Sequence, residues 1–120
     1  MLVVDDEESV RATTARMLER IGFDSLLATN GNEALDIFHQ HDAKIVGVLL
    51  DLTMPQLDGT ATFTQLRRLN PEIPVLLMSG FNEQDAVHRF AGKGLSGFVQ
   101  KPFKFDTLYG KLQAVFTAGE

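Results

Sequence analysis

The run Ile45-Val46-Gly47-Val48-Leu49-Leu50 stops at Asp51. It carries no charge and no polar alternation. That pattern suits a strand buried on both faces, as in a parallel sheet with helices packed above and below it. Only Gly47 breaks the side-chain bulk, and it weakens the expected strand by withholding packing. Working outward, Leu2-Val3-Val4 has the same character and ends at Asp5-Asp6, and Val75 to Met78 repeats it and ends at Ser79. Ser25 to Ala28, and the short Gly-led stretch Gly97 to Gln100 that ends at Lys101, complete five expected strands.

The intervening segments have helical spacing. Glu7 and Glu8, with Ser9 beside them, open a helix in which Val10, Thr14, Met17, Leu18 and Ile21 share a face before Gly22 stops it. Asn30 is a cap candidate for a helix carrying Ala34, Leu35, Ile37 and Phe38. Asp58-Gly59 signals a turn, and the helix after it puts Phe63, Leu66 and Leu69 on one side and ends at Asn70-Pro71. Glu83 to Ala91 reads as a short helix stopped by Gly92 and Gly94. Phe105 to Phe116 is the last, with Phe105, Leu108, Leu112 and Phe116 on the face that buries against a sheet, so core is expected there ahead of a dimer surface. Strands alternating with helices make a small open α/β sheet covered on both faces, a three-layer α/β/α sandwich.

At 120 residues the chain is read as one domain, 1–120, against a prior of roughly 150 residues per domain. Hydrophobic residues at 44% and charged residues at 22% place it in the globular range. It has no cysteine, which excludes disulfides and thiolate metal sites. A formal net charge of −5 argues against nucleic-acid binding, which needs a basic face. No apolar run approaches the roughly 20 residues of a membrane span, and with Met1 to Val4 leading straight into Asp5 no signal peptide is expected. The expectation is a cytoplasmic chain without membrane contact.

In an open α/β sheet the site lies beyond the carboxyl ends of the strands, where strand order reverses. The residues there are Asp5 and Asp6, Asp51, Ser79 and Lys101. An acidic residue after a strand is often only a turn or cap residue. The set as a whole, each member at its own strand end, reads as a site. Clustered carboxylates need a counter-charge, and His39, His41 and His88 sit in or beside helices away from these ends. An oxygen-only set with open positions fits Mg²⁺, which keeps several waters and takes phosphate oxygens. Lys101 supplies a positive charge for an arriving anion. The chemistry that wants this arrangement is phosphoryl transfer onto a carboxylate nucleophile, with cations neutralising the transferring group. Asp51, after the most buried strand and before Met54-Pro55, is the best nucleophile candidate.

Four segments together resemble the receiver domain of two-component response regulators, over essentially the whole chain. They are Val3-Val4-Asp5-Asp6-Glu7, Leu49-Leu50-Asp51-Leu52-Thr53-Met54-Pro55 continuing to Asp58-Gly59, Ser79-Gly80, and Lys101-Pro102-Phe103. The resemblance implies a CheY-like, flavodoxin-like fold with five parallel strands in the order 2-1-3-4-5. It implies that Asp51 accepts a phosphoryl group from a phosphohistidine on a histidine kinase or histidine phosphotransfer domain. Asp6 would ligate Mg²⁺ directly, Asp5 would help through a ligated water, and Thr53 would offer its backbone carbonyl. Lys101 would pair with Asp51 and then with the phosphoryl oxygens, Ser79 would donate a hydrogen bond to them, and Lys101-Pro102 would be a cis peptide. Phe98 falls at the family's switch aromatic, and its inward rotation would change the surface made by the fourth expected helix, the fifth strand and the last helix. The plainer reading of Phe98 is a core aromatic. Phe81, two residues after Ser79, would put an apolar ring at the rim and lengthen the phosphorylated lifetime. Such a domain catalyses its own phosphoryl transfer and slow dephosphorylation without being a turnover enzyme, and a homodimer is among its expected assemblies.

Other classes fit less well. An aspartyl phosphatase places a second aspartate two residues after its nucleophile, where this chain has Thr53. A docking module that is never phosphorylated has no need of five chemically competent site positions. Two placements stay open: a complete single-domain regulator that signals by binding a partner, or the receiver of a larger chain. Met78 to Glu83, Phe90 to Leu95 and Gly97 to Phe103 resemble receivers at the carboxyl end of hybrid sensor histidine kinases. The abrupt ends at Met1 and Glu120 agree with a domain cut from one, and this is the favoured expectation.

Overall fold

The computed structural model describes residues 1–51, 59–80 and 96–117. Along the chain run β1 (Leu2–Val4), α1 (Glu8–Ile21), β2 (Leu26–Ala28), α2 (Gly31–His41), a 3-10 turn (Asp42–Lys44), β3 (Val48–Asp51), α3 (Gly59–Leu69), β4 (Val75–Ser79), β5 (Gly97–Gln100) and α4 (Phe105–Thr117). The strands form one parallel sheet in the order β2-β1-β3-β4-β5. This is the CheY-like, flavodoxin-like arrangement. The helix expected over Glu83 to Ala91, with Gly92 and Gly94, lies outside the described residues, as do the Met54-Pro55 turn and Asp58.

Side chains on a strand point alternately to its two faces, and here the alternation sorts the core into two layers. Leu2, Val4, Val48, Leu50, Val75, Leu77 and Phe98 face one way and pack with Ala34 and Phe38 of α2 and Phe63 and Leu66 of α3. Val3, Leu49, Leu76, Met78 and Val99 face the other way and pack with Leu18 of α1 and Leu108 and Leu112 of α4. Both faces are covered, which is why the strands show no polar alternation.

Local chemistry sets the element ends. The Asn30 side chain accepts the Glu33 backbone N–H at 2.9 Å, capping α2. Gly22 ends α1 in the left-handed region at φ 115°, while the N–H groups of Gly22 and Phe23 bond back to Leu18. The run from Ile45 enters the sheet later than its apolar character suggests. Val46 is 49% exposed, and pairing of Leu2 with Val48 starts β3 there. Gly47 therefore lies just before the strand and does not leave a packing gap. A Cβ built on it would sit 2.9 Å from the Phe116 ring and 3.1 Å from Met1 Sδ, so neighbouring side chains already fill the space. On α3, Phe63 and Leu66 are buried while Leu69, at the last residue, is exposed. On α4, Leu108 and Leu112 are core, whereas Phe105 and Phe116 are half-buried.

Candidate functional site

The order β2-β1-β3 reverses the direction in which the sheet grows, so a crevice opens between the carboxyl ends of β1 and β3. Val4 is in register with Leu50. The next residues, Asp5 and Asp51, therefore stand side by side at that crevice, both buried, with Asp6 exposed beside them. Asp5, Asp6 and Asp51 can each offer an oxygen within 4.8 Å of the others.

Lys101 reaches this cluster from the end of β5. Its Nζ lies 2.5 Å from Asp5 Oδ2 and 3.2 Å from Asp51 Oδ2. The lysine thus bridges two carboxylates and bonds Asp5 more closely than Asp51. Its backbone N–H donates to the Ser79 carbonyl at 2.7 Å, and the Lys101–Pro102 peptide is cis. Burial of the ammonium disfavours its charge, but the hydrogen bond to Asp5 and the charges of Asp51 and Asp5 outweigh that effect. The Lys101 pKa accordingly stands above its ordinary value of 10.5.

Asp5 is tied down by the protein on every side. Oδ1 accepts the Glu7 N–H at 2.9 Å and Oδ2 accepts Lys101, while its own N–H donates to the Ala28 carbonyl at 3.1 Å. Its carbonyl accepts Arg11 Nη1 at 2.6 Å. Arg11 was not singled out by sequence reasoning. Its one signal is a cation placed six residues after Asp5 in an acidic stretch.

Ser79, the last residue of β4, is fully buried. Phe98 lies opposite Leu77 on β5 and is 3% exposed, in the same core layer as Phe63. Thr53 and Phe81 lie outside the described residues. A cleft of about 530 Å³ runs beside the cluster, between Ser9, Val10, Thr13 and Met17 of α1 and the Lys101–Phe103 segment.

Three carboxylates facing one ammonium leave an excess of two negative charges. The donor set is oxygen only and partly open through Asp6. Such a cluster is suited to a hard divalent cation.

The family profile described as "Response regulator receiver domain" matches residues 1–113. The chain belongs to that family. Among curated relatives of this receiver, the response regulator MprA of Mycolicibacterium vanbaalenii is 36% identical over 120 residues, covering 96% of this chain and 49% of that one. The sensor kinase CckA of Brucella abortus is 32% identical over 108 residues, covering 90% of this chain and 11% of that one. The receiver therefore spans about half, or far less, of the length of these relatives. Among solved structures, the CheX-CheY-BeF3-Mg²⁺ complex from Borrelia burgdorferi contains a chain that superposes with a TM-score of 0.90 at 26% identity, covering 96% of this chain and 87% of that one. Receiver domains interact with histidine kinases or phosphotransfer proteins. Among the described residues, no helix is long and apolar enough to cross a membrane.

Proposed function

We propose that this receiver, taken as residues 1–120, accepts a phosphoryl group from a phosphohistidine onto Asp51 in a two-component phosphorelay. The observation that carries the reading is the meeting of Asp5, Asp6 and Asp51 with Lys101 at the β1/β3 crevice. An Asp51 oxygen forms the new bond to phosphorus as the donor's nitrogen–phosphorus bond breaks, and the departing imidazole takes up a proton. Lys101 releases part of its hold on Asp51 and pairs with the incoming oxygens. The Ser79 hydroxyl donates to one of them. Asp6, with Asp51 and the Thr53 carbonyl, is assigned to hold Mg²⁺, which supplies charge neutralisation at the transferring group when bound. The Mg²⁺ of the Borrelia burgdorferi CheX-CheY-BeF3 complex supports that choice of metal. Asp5, engaged by Glu7 and Lys101, is left to contribute through water.

The partner carrying the phosphohistidine is assigned to the cleft between α1 and the Lys101–Phe103 segment. Phosphorylation adds roughly −1.5 to −2 charges and three acceptor oxygens. Ser79, buried at the end of β4, is assigned to sense them, and Phe98, packed inward one strand away, is assigned to couple the change to the β5–α4 surface. A homodimer through that surface belongs to the same proposal, as does the absence of a nucleic-acid role for this domain, in keeping with its net charge of −5. Placement in a hybrid histidine kinase draws support from the likeness to the sensor kinase CckA. An intact reading frame with a kinase core ahead of Met1 supports it, and a frame without one overturns it.

Transfer from a phosphorylated histidine phosphotransfer protein tests the function. Label should move to the wild-type chain with Mg²⁺ present and stay on the donor when the metal is chelated. Label that never leaves several such donors, with the fold intact, would count against the reading.

A further inference from the structure

Arg11 holds a backbone atom of the acidic pair rather than a carboxylate. Its Nη1 donates to the Asp5 carbonyl at 2.6 Å. That carbonyl belongs to the peptide unit joining Asp5 to Asp6, and a peptide unit is planar. Holding its oxygen fixes the orientation of that plane and of the Asp6 N–Cα bond that leaves it, which limits the directions the Asp6 side chain can take.

Little else fixes that direction. Helix α1 starts at Glu8 with Glu7 in the capping position, and Glu7 makes no side-chain capping bond. The turn between β1 and α1 is held instead by Asp5 Oδ1 on the Glu7 N–H and by Arg11 on the Asp5 carbonyl. The Asp6 carboxylate is exposed. Asp5 and Asp51 are buried and share Lys101. Asp6 is thus the member of the trio whose aim depends on the backbone beneath it.

We infer that Arg11 is a positioning residue for the divalent-cation site, acting through the Asp5–Asp6 peptide. The inference rests on the proposed reading of the carboxylate cluster as a metal site. It also makes a prediction opposite in sign to simple electrostatics. A guanidinium beside an acidic cluster repels a second cation, so if charge alone mattered its removal would tighten metal binding. If Arg11 aims Asp6, its removal weakens binding even though a competing positive charge is gone.

The test is calorimetric titration of the full chain with MgCl₂ alone, for wild type, Arg11→Met and Arg11→Lys. Backbone amide exchange at Asp6 and Glu7 is followed in the metal-free proteins. Met keeps the aliphatic stem and removes the donor. Outer-shell partners of metal ligands are commonly worth about 10–100-fold in metal affinity, and the expectation for Arg11→Met is a loss at the lower end of that range, with faster exchange at Asp6 and Glu7. Lysine keeps the charge and one donor but lacks the rigid fork of arginine. It should fall between the two, and it carries the test should the Met variant fail to fold. Affinity equal to or tighter than wild type in the folded variants overturns the positioning role. A wild-type chain that takes up no Mg²⁺ overturns the metal-site reading itself, and the two failures are distinguishable because the wild-type titration comes first.

Discussion

Replacing Asp6 with asparagine should stabilise the metal-free protein and remove most of its response to Mg²⁺. The acidic oxygens of Asp5, Asp6 and Asp51 come within 4.8 Å of one another. At that separation two like charges repel by about 1 kcal/mol in water-like surroundings and about 3.5 kcal/mol at an effective dielectric constant near 20. Asp6 is exposed, so the lower figure applies to each of its two repulsions. Lys101 pairs with Asp5 and Asp51, and its longer-range attraction for Asp6, together with that of the Arg11 guanidinium on the Asp5 carbonyl, offsets part of the sum. The net relief in Asp6→Asn is about 1 kcal/mol, which for a domain of this size raises Tm by about 3–5 °C. With free Mg²⁺ at about a hundred times its Kd, binding adds about 2.7 kcal/mol to the wild type, and little to a variant short of a ligand. The two melting curves should therefore cross: the variant is the more stable with chelator and the less stable with metal. Thermal unfolding in both conditions reads this directly. A variant less stable than wild type without metal, or one stabilised by Mg²⁺ as much as wild type, would refute the charge argument.

Phe98→Ala should cost about 3–5 kcal/mol in urea unfolding, the usual loss for a buried aromatic, while leaving Mg²⁺ binding intact; a loss under about 1 kcal/mol would mean the ring is not the core residue its 3% exposure indicates. Gly47→Ala drives a methyl to 2.9 Å from the Phe116 ring and should cost about 1–3 kcal/mol by overpacking, with Phe116→Leu in the same chain recovering part of it; no recovery would place the clash elsewhere. Lys101→Met leaves Asp5 and Asp51 buried without their cation and should cost about 3 kcal/mol or more near neutral pH. The Lys101 pKa is raised above 10.5 in the folded chain, so its ion pairs stabilise fully below that pH and lose their effect as pH climbs through the folded-state value. Wild-type Tm should therefore fall faster than that of Lys101→Met above pH 10.5, and parallel slopes would contradict the pairing.

The positions of Asp5, Asp51, Ser79 and Lys101 were legible because each follows an apolar run, and a parallel sheet delivers all such ends to one edge. The division of labour among them was not. That Lys101 lies nearer Asp5 than Asp51 depends on side-chain reach across three strands, which no spacing encodes. The Arg11 contact escapes for a related reason: it ends on a backbone carbonyl, and every residue has one. At Ile45 to Gly47 the apolar run overstated the strand, since periodicity cannot separate a strand from an apolar approach to it, and register with Leu2 decided the boundary. Leu69 shows the same limit at a helix end, where the last residue of an apolar face has already rotated past the core.

The central claim is that Asp51 takes up a phosphoryl group using the residues gathered around it. Intact mass after incubation with Mg²⁺ and a small phosphodonor tests this most directly, with Asp51→Asn treated alongside. The account predicts a gain of one phosphoryl group in the wild type, dependent on the metal and absent from the variant. A folded wild type that gains nothing, or a variant that gains the group equally, would contradict it.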